Sequence, residues 1–172
     1  MRKNATIAFA VAFAWLLTLH VVWAQKYDDK EHAELAKAFK GAKVPLTKGL
    51  VASRSEGTPI SGKYEVEDGK LQLSVYTMKG DKFFEVIVDH KTGKVAKAEA
   101  ITSGEDLTAA KGQGEAMAKA KLSLRAAVDK AVKENKGYRP VSVTPMLKDK
   151  HPVAAVTLIK GEEFKTISEG LD

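Results

Sequence analysis

Cysteine is absent from the 172-residue sequence. That excludes disulfides, thiol catalysis and thiolate metal sites together. Histidine is scarce: only His32, His90 and His151 lie beyond residue 24. None of the three falls in a recognised metal-ligand spacing. No G-x-S-x-G, Walker or zincin motif occurs, so the common nucleophile, phosphate and zinc signatures are missing. Charge of one sign is also lacking. The chain has 28 basic and 22 acidic residues, a net +6, with signs interspersed. That balance describes a solvated surface and not a nucleic-acid footprint.

The apolar run at the start has a recognisable layout. Met1-Arg2-Lys3-Asn4 is a short basic opening. Ala5 to Leu19 is apolar except for Thr6 and Thr18, and Val22-Trp23-Ala24 ends it before Gln25. This reads as a secretory signal peptide cut after Ala24. The alternative is an uncleaved anchor over residues 5–24, about 20 residues and one bilayer crossing. Either way residues 25–172 face a periplasmic or secreted space. A membrane is expected as a partner only in the anchored case. Arg2 and Lys3 leave with the leader, so the remainder carries 26 basic and 22 acidic residues, a net +4.

The next stretch is helical in pattern. Asp28 with Glu31 suggests a capping box, Leu35 and Phe39 share a face, and Gly41 stops the helix. A shorter helix is expected over Leu46–Ser55, with Thr47 as N-cap, Gly49 as a weak point and Gly57 as the end. The period then drops to two. Tyr64 and Val66 alternate with charged residues, and Asp68-Gly69 is a hairpin signal. Leu71, Leu73, Val75 and Thr77 share one face of the following strand. Lys79-Gly80-Asp81 turns the chain into Phe83–Asp89, and His90–Gly93 turns it into Lys94–Glu99. Such tight turns predict an antiparallel meander covered by helices. Ser103–Ala120 reads as a partly helical linker, because Gly112 and Gly114 weaken its middle. A helix is expected over Ser123–Asn135, then strands near Pro140–Leu147, Val153–Ile159 and Glu163–Glu169.

The second half echoes the first. Lys79-Gly80-Asp81-Lys82-Phe83 aligns with Lys160-Gly161-Glu162-Glu163-Phe164, an offset of 81 residues. Each half reads as a helix and three strands, too small to bury a sheet face alone. The two are expected to pack as one body.

These features resemble the PepSY family, a small exported α-β-β-β module. Its closing pattern is aromatic-x-V-x-V-D-x-x-T-G-x-V. Phe84-Glu85-Val86-Ile87-Val88-Asp89-His90-Lys91-Thr92-Gly93-Lys94-Val95 fits it nearly position by position. The resemblance covers residues 46–99 well and 122–170 loosely. The second half has Ser168-Glu169-Gly170 where the signature would stand. The resemblance implies an α+β fold of two helix-plus-antiparallel-sheet units: 25–101 with an N-terminal helix, a linker at 102–121, and 122–172. It also implies a non-enzymatic binding module that inhibits or modulates a secreted or periplasmic peptidase. It supplies no catalytic residues.

The chemistry points the same way. Adjacent residues on an extended chain face opposite sides, so Asp89 and His90 are poorly placed as acid–base partners. Asp89, Thr92 and Gly93 read as turn residues. His32 lies among acids on a solvated helix face, and His151 sits in a turn before Pro152. Glu105-Asp106 reads as helix-start charge, and Glu162-Glu163 as a solvated turn. No cofactor and no metal are expected. Apolar residues on both faces of the central strands mark Tyr76, Met78, Phe84 and Val86 as a candidate protein-docking surface, unless the second unit or the linker helix covers that face. The alternative function is a small-ligand or metal sensor.

Overall fold

The computed structural model describes residues 30–172. The signal-peptide reading and the Asp28 cap lie outside the described residues. Among these residues are four α-helices: α1 (residues 30–39), α2 (Leu46–Ala52), α3 (Gly104–Lys119) and α4 (Leu124–Glu134). A single 3-10 turn, Ser53–Ser55, extends α2. Seven strands follow the expected turns: β1 (Thr58–Glu67), β2 (Lys70–Lys79), β3 (Lys82–Val88), β4 (Val95–Ile101), β5 (Arg139–Lys148), β6 (His151–Lys160) and β7 (Glu163–Gly170). The α+β class expected from the sequence holds. The layout differs, because all seven strands form one antiparallel sheet in the order β4-β3-β2-β1-β5-β6-β7. The halves meet where β1 pairs with β5 through only Gly62–Val143 and Lys63–Ser142.

The 81-residue echo extends into fine geometry. Thr58 and Arg139 begin β1 and β5, and Lys70 and His151 begin β2 and β6. The register slips between Pro59 and Ser61, and again between Pro140 and Ser142. Asp68 and Gly69 turn the first hairpin with φ of 48° and 72°. Asp149 and Lys150 turn its counterpart at 51° and 70°. Both are two-residue turns with positive φ at each central position, the geometry that matches strand twist.

A second correspondence lies upstream and corrects the linker reading. Ala42-Lys43-Val44-Pro45-Leu46 matches Ala120-Lys121-Leu122-Ser123-Leu124. Pro45 and Ser123 are the N-caps of α2 and α4, so Pro45 takes the place expected of Thr47. The Ala42 and Ala120 amides donate to Phe39 and Met117 carbonyls at 3.0 and 3.2 Å. The segment expected to be a partly helical linker is therefore a 16-residue helix, α3, occupying the place of α1 in the second half.

One face of the sheet lies under α2 and α4. Leu73, Val75, Val86, Val143 and Val156 are fully buried there with Leu46, Leu50, Leu124 and Val128. Gly49 lets α2 come close: a Cβ there would sit 2.5 Å from Leu73 Cδ2. Truncating a side chain such as Leu73 to Ala in this core costs about 2–5 kcal/mol. The opposite face of the first half lies under α3, where Ile60, Tyr76, Phe83 and Ala110 form a second cluster. Gly114 allows that approach, since a Cβ would meet Met78 Sδ at 3.1 Å and Phe83 Cε1 at 3.3 Å. Meanwhile α1 reaches the second half. Its His32 stacks on Phe164 at 4.2 Å, and Arg139 lies 4.3 Å over the Phe39 ring. Each helix thus packs on an aromatic belonging to the other half, which ties the two into one body.

Candidate binding surface

The Asp89–Gly93 corner is built by its own backbone. Asp89 Oδ1 accepts from the Thr92 amide at 2.6 Å, the Thr92 hydroxyl at 2.9 Å and the Lys91 amide at 3.0 Å. The Gly93 amide closes the turn on the Asp89 carbonyl at 2.8 Å, with Gly93 at φ 77°. The bonds from Thr92, then that from Lys91, hold the Asp89 carboxyl below its ordinary range. Its Oδ1 is engaged three times by the turn, and no hydrogen bond joins the carboxylate to His90. The His90 carbonyl instead accepts the Lys43 and Val44 amides, both at 3.0 Å. In the second half Leu171 does the same for Lys121 and Leu122, at 2.7 and 3.0 Å. Each corner is thus a clamp on the segment between two helices. The sequence did not show this, because the acceptor is a backbone carbonyl.

The other titratable groups are dispersed. Asp106 accepts the Tyr76 hydroxyl at 2.8 Å. Burial, then this bond and the Asp106 charge, push the Tyr76 phenol well above its usual range and keep it a donor. A polar chamber of about 170 Å³ lies beside that pair, lined by Ser61, Ser74, Gln113 and Thr144. His151 Nδ1 meets Asp172 Oδ2 at 3.0 Å on the exposed surface. Glu163 accepts the Tyr138 hydroxyl at 2.5 Å. Among the described residues, no group of three or more His, Asp or Glu is arranged to hold a metal ion.

The four expected docking residues do not make one surface. Val86 faces Val75 beneath α2 and is fully buried, so it cannot dock a partner. Tyr76 is 9% exposed because α3 covers it. Met78 is half-buried against Gly114 on that same face. Only Phe84 retains part of its surface on the Val86 face, opposite Thr77 and Ala100. The cause is that the linker segment is the helix α3, whose Ala and Gly residues let it lie closely over the Tyr76 face.

What remains open is the strand beyond Phe84. β4 is an outer strand, paired with β3 alone. Its five inner residues, Ala96 to Ala100, are all exposed. Three of them are Ala, and Lys97 pairs with Glu99 at 2.8 Å. Sheet edges are commonly guarded by charge, proline or bulges, and on β4 that guard is the Lys97–Glu99 pair, a pair of opposite charges set between the alanines. The opposite edge, β7, has its side chains engaged: Glu169 with Lys130 at 2.6 Å, Lys165 with Asn135 at 2.8 Å and Thr166 with Thr157 at 3.1 Å. Sequence reasoning placed a strand near β4 but had no means of choosing between edges.

Comparison with known proteins adds little. The chain matches no family model and no curated protein. Its fold is similar to the crystal structure of a Clostridium difficile 630 protein provisionally classed as a lipoprotein. The match has 13% sequence identity and a TM-score of 0.44, and covers 76% of this chain and 88% of that one. A likeness that loose carries no argument about function. Among the described residues, no helix is long and apolar enough to cross a membrane.

Proposed function

We propose that this chain is a non-enzymatic exported binding protein, made of two PepSY-like units behind a signal peptide, that restrains a secreted or periplasmic peptidase. The PepSY likeness of Phe84–Val95 and the 81-residue repeat support the family reading. The observation that carries the function is the open edge of β4. Its backbone is extended, its outer donors and acceptors face away from β3, and its alanines leave room for another backbone alongside. Edge pairing draws affinity from main-chain hydrogen bonds, and side-chain pockets tune it. A peptidase cleft accepts substrates as extended strands, so β4 offers it a strand that the fold holds in place. Phe84 adds a half-buried apolar contact beside Ala98 and Ala100.

The test is inhibition of a panel of secreted serine and metallopeptidases by the full chain. Replacing Ala98 and Ala100 together by Lys puts charge on the edge at two exposed positions. Inhibition is expected to fall at least tenfold, while the thermal midpoint moves by less than about 2 °C. No inhibition and no complex with any peptidase would sink the proposal. The metal-sensor alternative lacks a ligand cluster among the described residues. The small-ligand alternative has its own observation, a cleft away from β4.

A further inference from the structure

A cleft of about 720 Å³ opens where the 3-10 turn after α2, the start of β1, the β2–β3 turn and the start of α4 converge. Its apolar wall is aliphatic and flexible, with Leu50, Val51, Met78, Met117 and Leu124. Its polar wall carries Arg54, Lys79 and Arg125. Among the described residues, no carboxylate, side-chain amide or aromatic ring lines it. Among the described residues Arg54 and Lys79 have no ion pair, and Arg125 uses only Nε, 3.5 Å from Asp129. α4, 11 residues long, starts here and adds the favourable end of its dipole for an anion.

The repeat supplies an internal control. The position of Thr58 is taken in the second half by Arg139, and that of Met117 by Phe39. There Arg139 lies over the Phe39 ring and donates to the Ala42 carbonyl at 3.0 Å. At that matching place Arg139 of β5 and Phe39 of α1 therefore fill the space between them. Here Thr58 of β1 and Met117 of α3 stand instead, a short hydroxyl and a methionine, and the space stays open.

We infer that this cleft binds an acyl chain with an anionic head. The aliphatic wall takes the chain, and methionines adapt to its bends. Arg54, Lys79 and Arg125 take the carboxylate or phosphate through charge-assisted bonds. The lack of rings disfavours a base or sugar, which would want a stacking face. The lack of amides and carboxylates disfavours a polar peptide. This reading is independent of the β4 edge, and its test does not involve a peptidase.

The experiment is calorimetric titration of the full chain with palmitate and with lysophosphatidylglycerol, each below its micelle concentration. Saturable one-to-one binding is expected, and the tighter of the two identifies a free acid or a lipid headgroup as the source. Palmitate methyl ester is expected to bind at least tenfold more weakly. The double variant Thr58→Arg with Met117→Phe copies the other half's plug and is expected to abolish binding. Arg54→Gln with Lys79→Gln leaves the cavity open and is expected to weaken the anions at least tenfold, but not the ester. No saturable binding, or equal binding by the ester and by the plugged variant, overturns the inference.

Discussion

Two residues show how single polar groups fix this fold. Asp89 has its carboxyl held low by the Thr92 and Lys91 bonds. A depressed pKa stabilises the fold above the unfolded value, and the effect is lost as pH falls through the folded value. Asp89→Ala is therefore expected to lower the thermal midpoint at neutral pH, and the gap to wild type should close below about pH 4. A gap that persisted in acid would contradict the assignment. Tyr64 behaves in the opposite sense. Its hydroxyl donates to the Val44 carbonyl, and burial, partly offset by Arg139, pushes its phenol up to about 12. A raised acid is neutral in the fold, so its contribution is complete below pH 10, about the unfolded value, and is lost as pH rises toward 12. Urea titrations between pH 9 and pH 12 should show that loss in wild type and a flatter profile in Tyr64→Phe.

Among the elements, the strands were the most legible in the sequence and α3 the least. Period-two alternation and Asp-Gly or Lys-Gly turns marked β1 to β3 within a few residues, because a half-buried strand must alternate. The α3 segment gave no such pattern. Its buried residues are Ala110, Gly114 and Ala116, small residues that add little apolar contrast. Gly114 weakens an isolated helix by about 1 kcal/mol, but it also permits close packing on Met78 and Phe83. Propensity and packing point opposite ways at that residue, and packing wins. α3 is also what covers Tyr76, so that face is closed to docking. Gly114→Val should cost about 1–3 kcal/mol by overpacking and speed amide exchange throughout residues 104–119. Unchanged exchange there would mean that α3 is held by other contacts. The paired hairpins offer a gain instead. Lys150 sits at φ 70° where the first hairpin has Gly69 at 72°. Lys150→Gly should raise stability by about 0.5–1 kcal/mol in a denaturant melt, because left-handed backbone strains a side chain. A loss would show that Lys150 makes a contribution the backbone does not explain.

At the scale of the whole molecule, duplication explains both the coherence and the asymmetry. Two similar segments share one sheet across a narrow β1–β5 seam, and each contributes a helix to an aromatic of the other. Neither half is finished alone. The copies differ where function is proposed. Beyond its corner the first half adds β4, an outer strand whose exposed alanines alternate with the paired Lys97 and Glu99. The sequence signature at Phe84–Val95 marked that place, but its Asp and Gly serve the turn, and the open backbone lies in the strand that follows. The most direct measurement is amide hydrogen exchange of the full chain with and without a peptidase that it inhibits. Protection confined to residues 95–101 is the predicted result. Protection centred on β7, or none on β4, would contradict edge pairing as the basis of function.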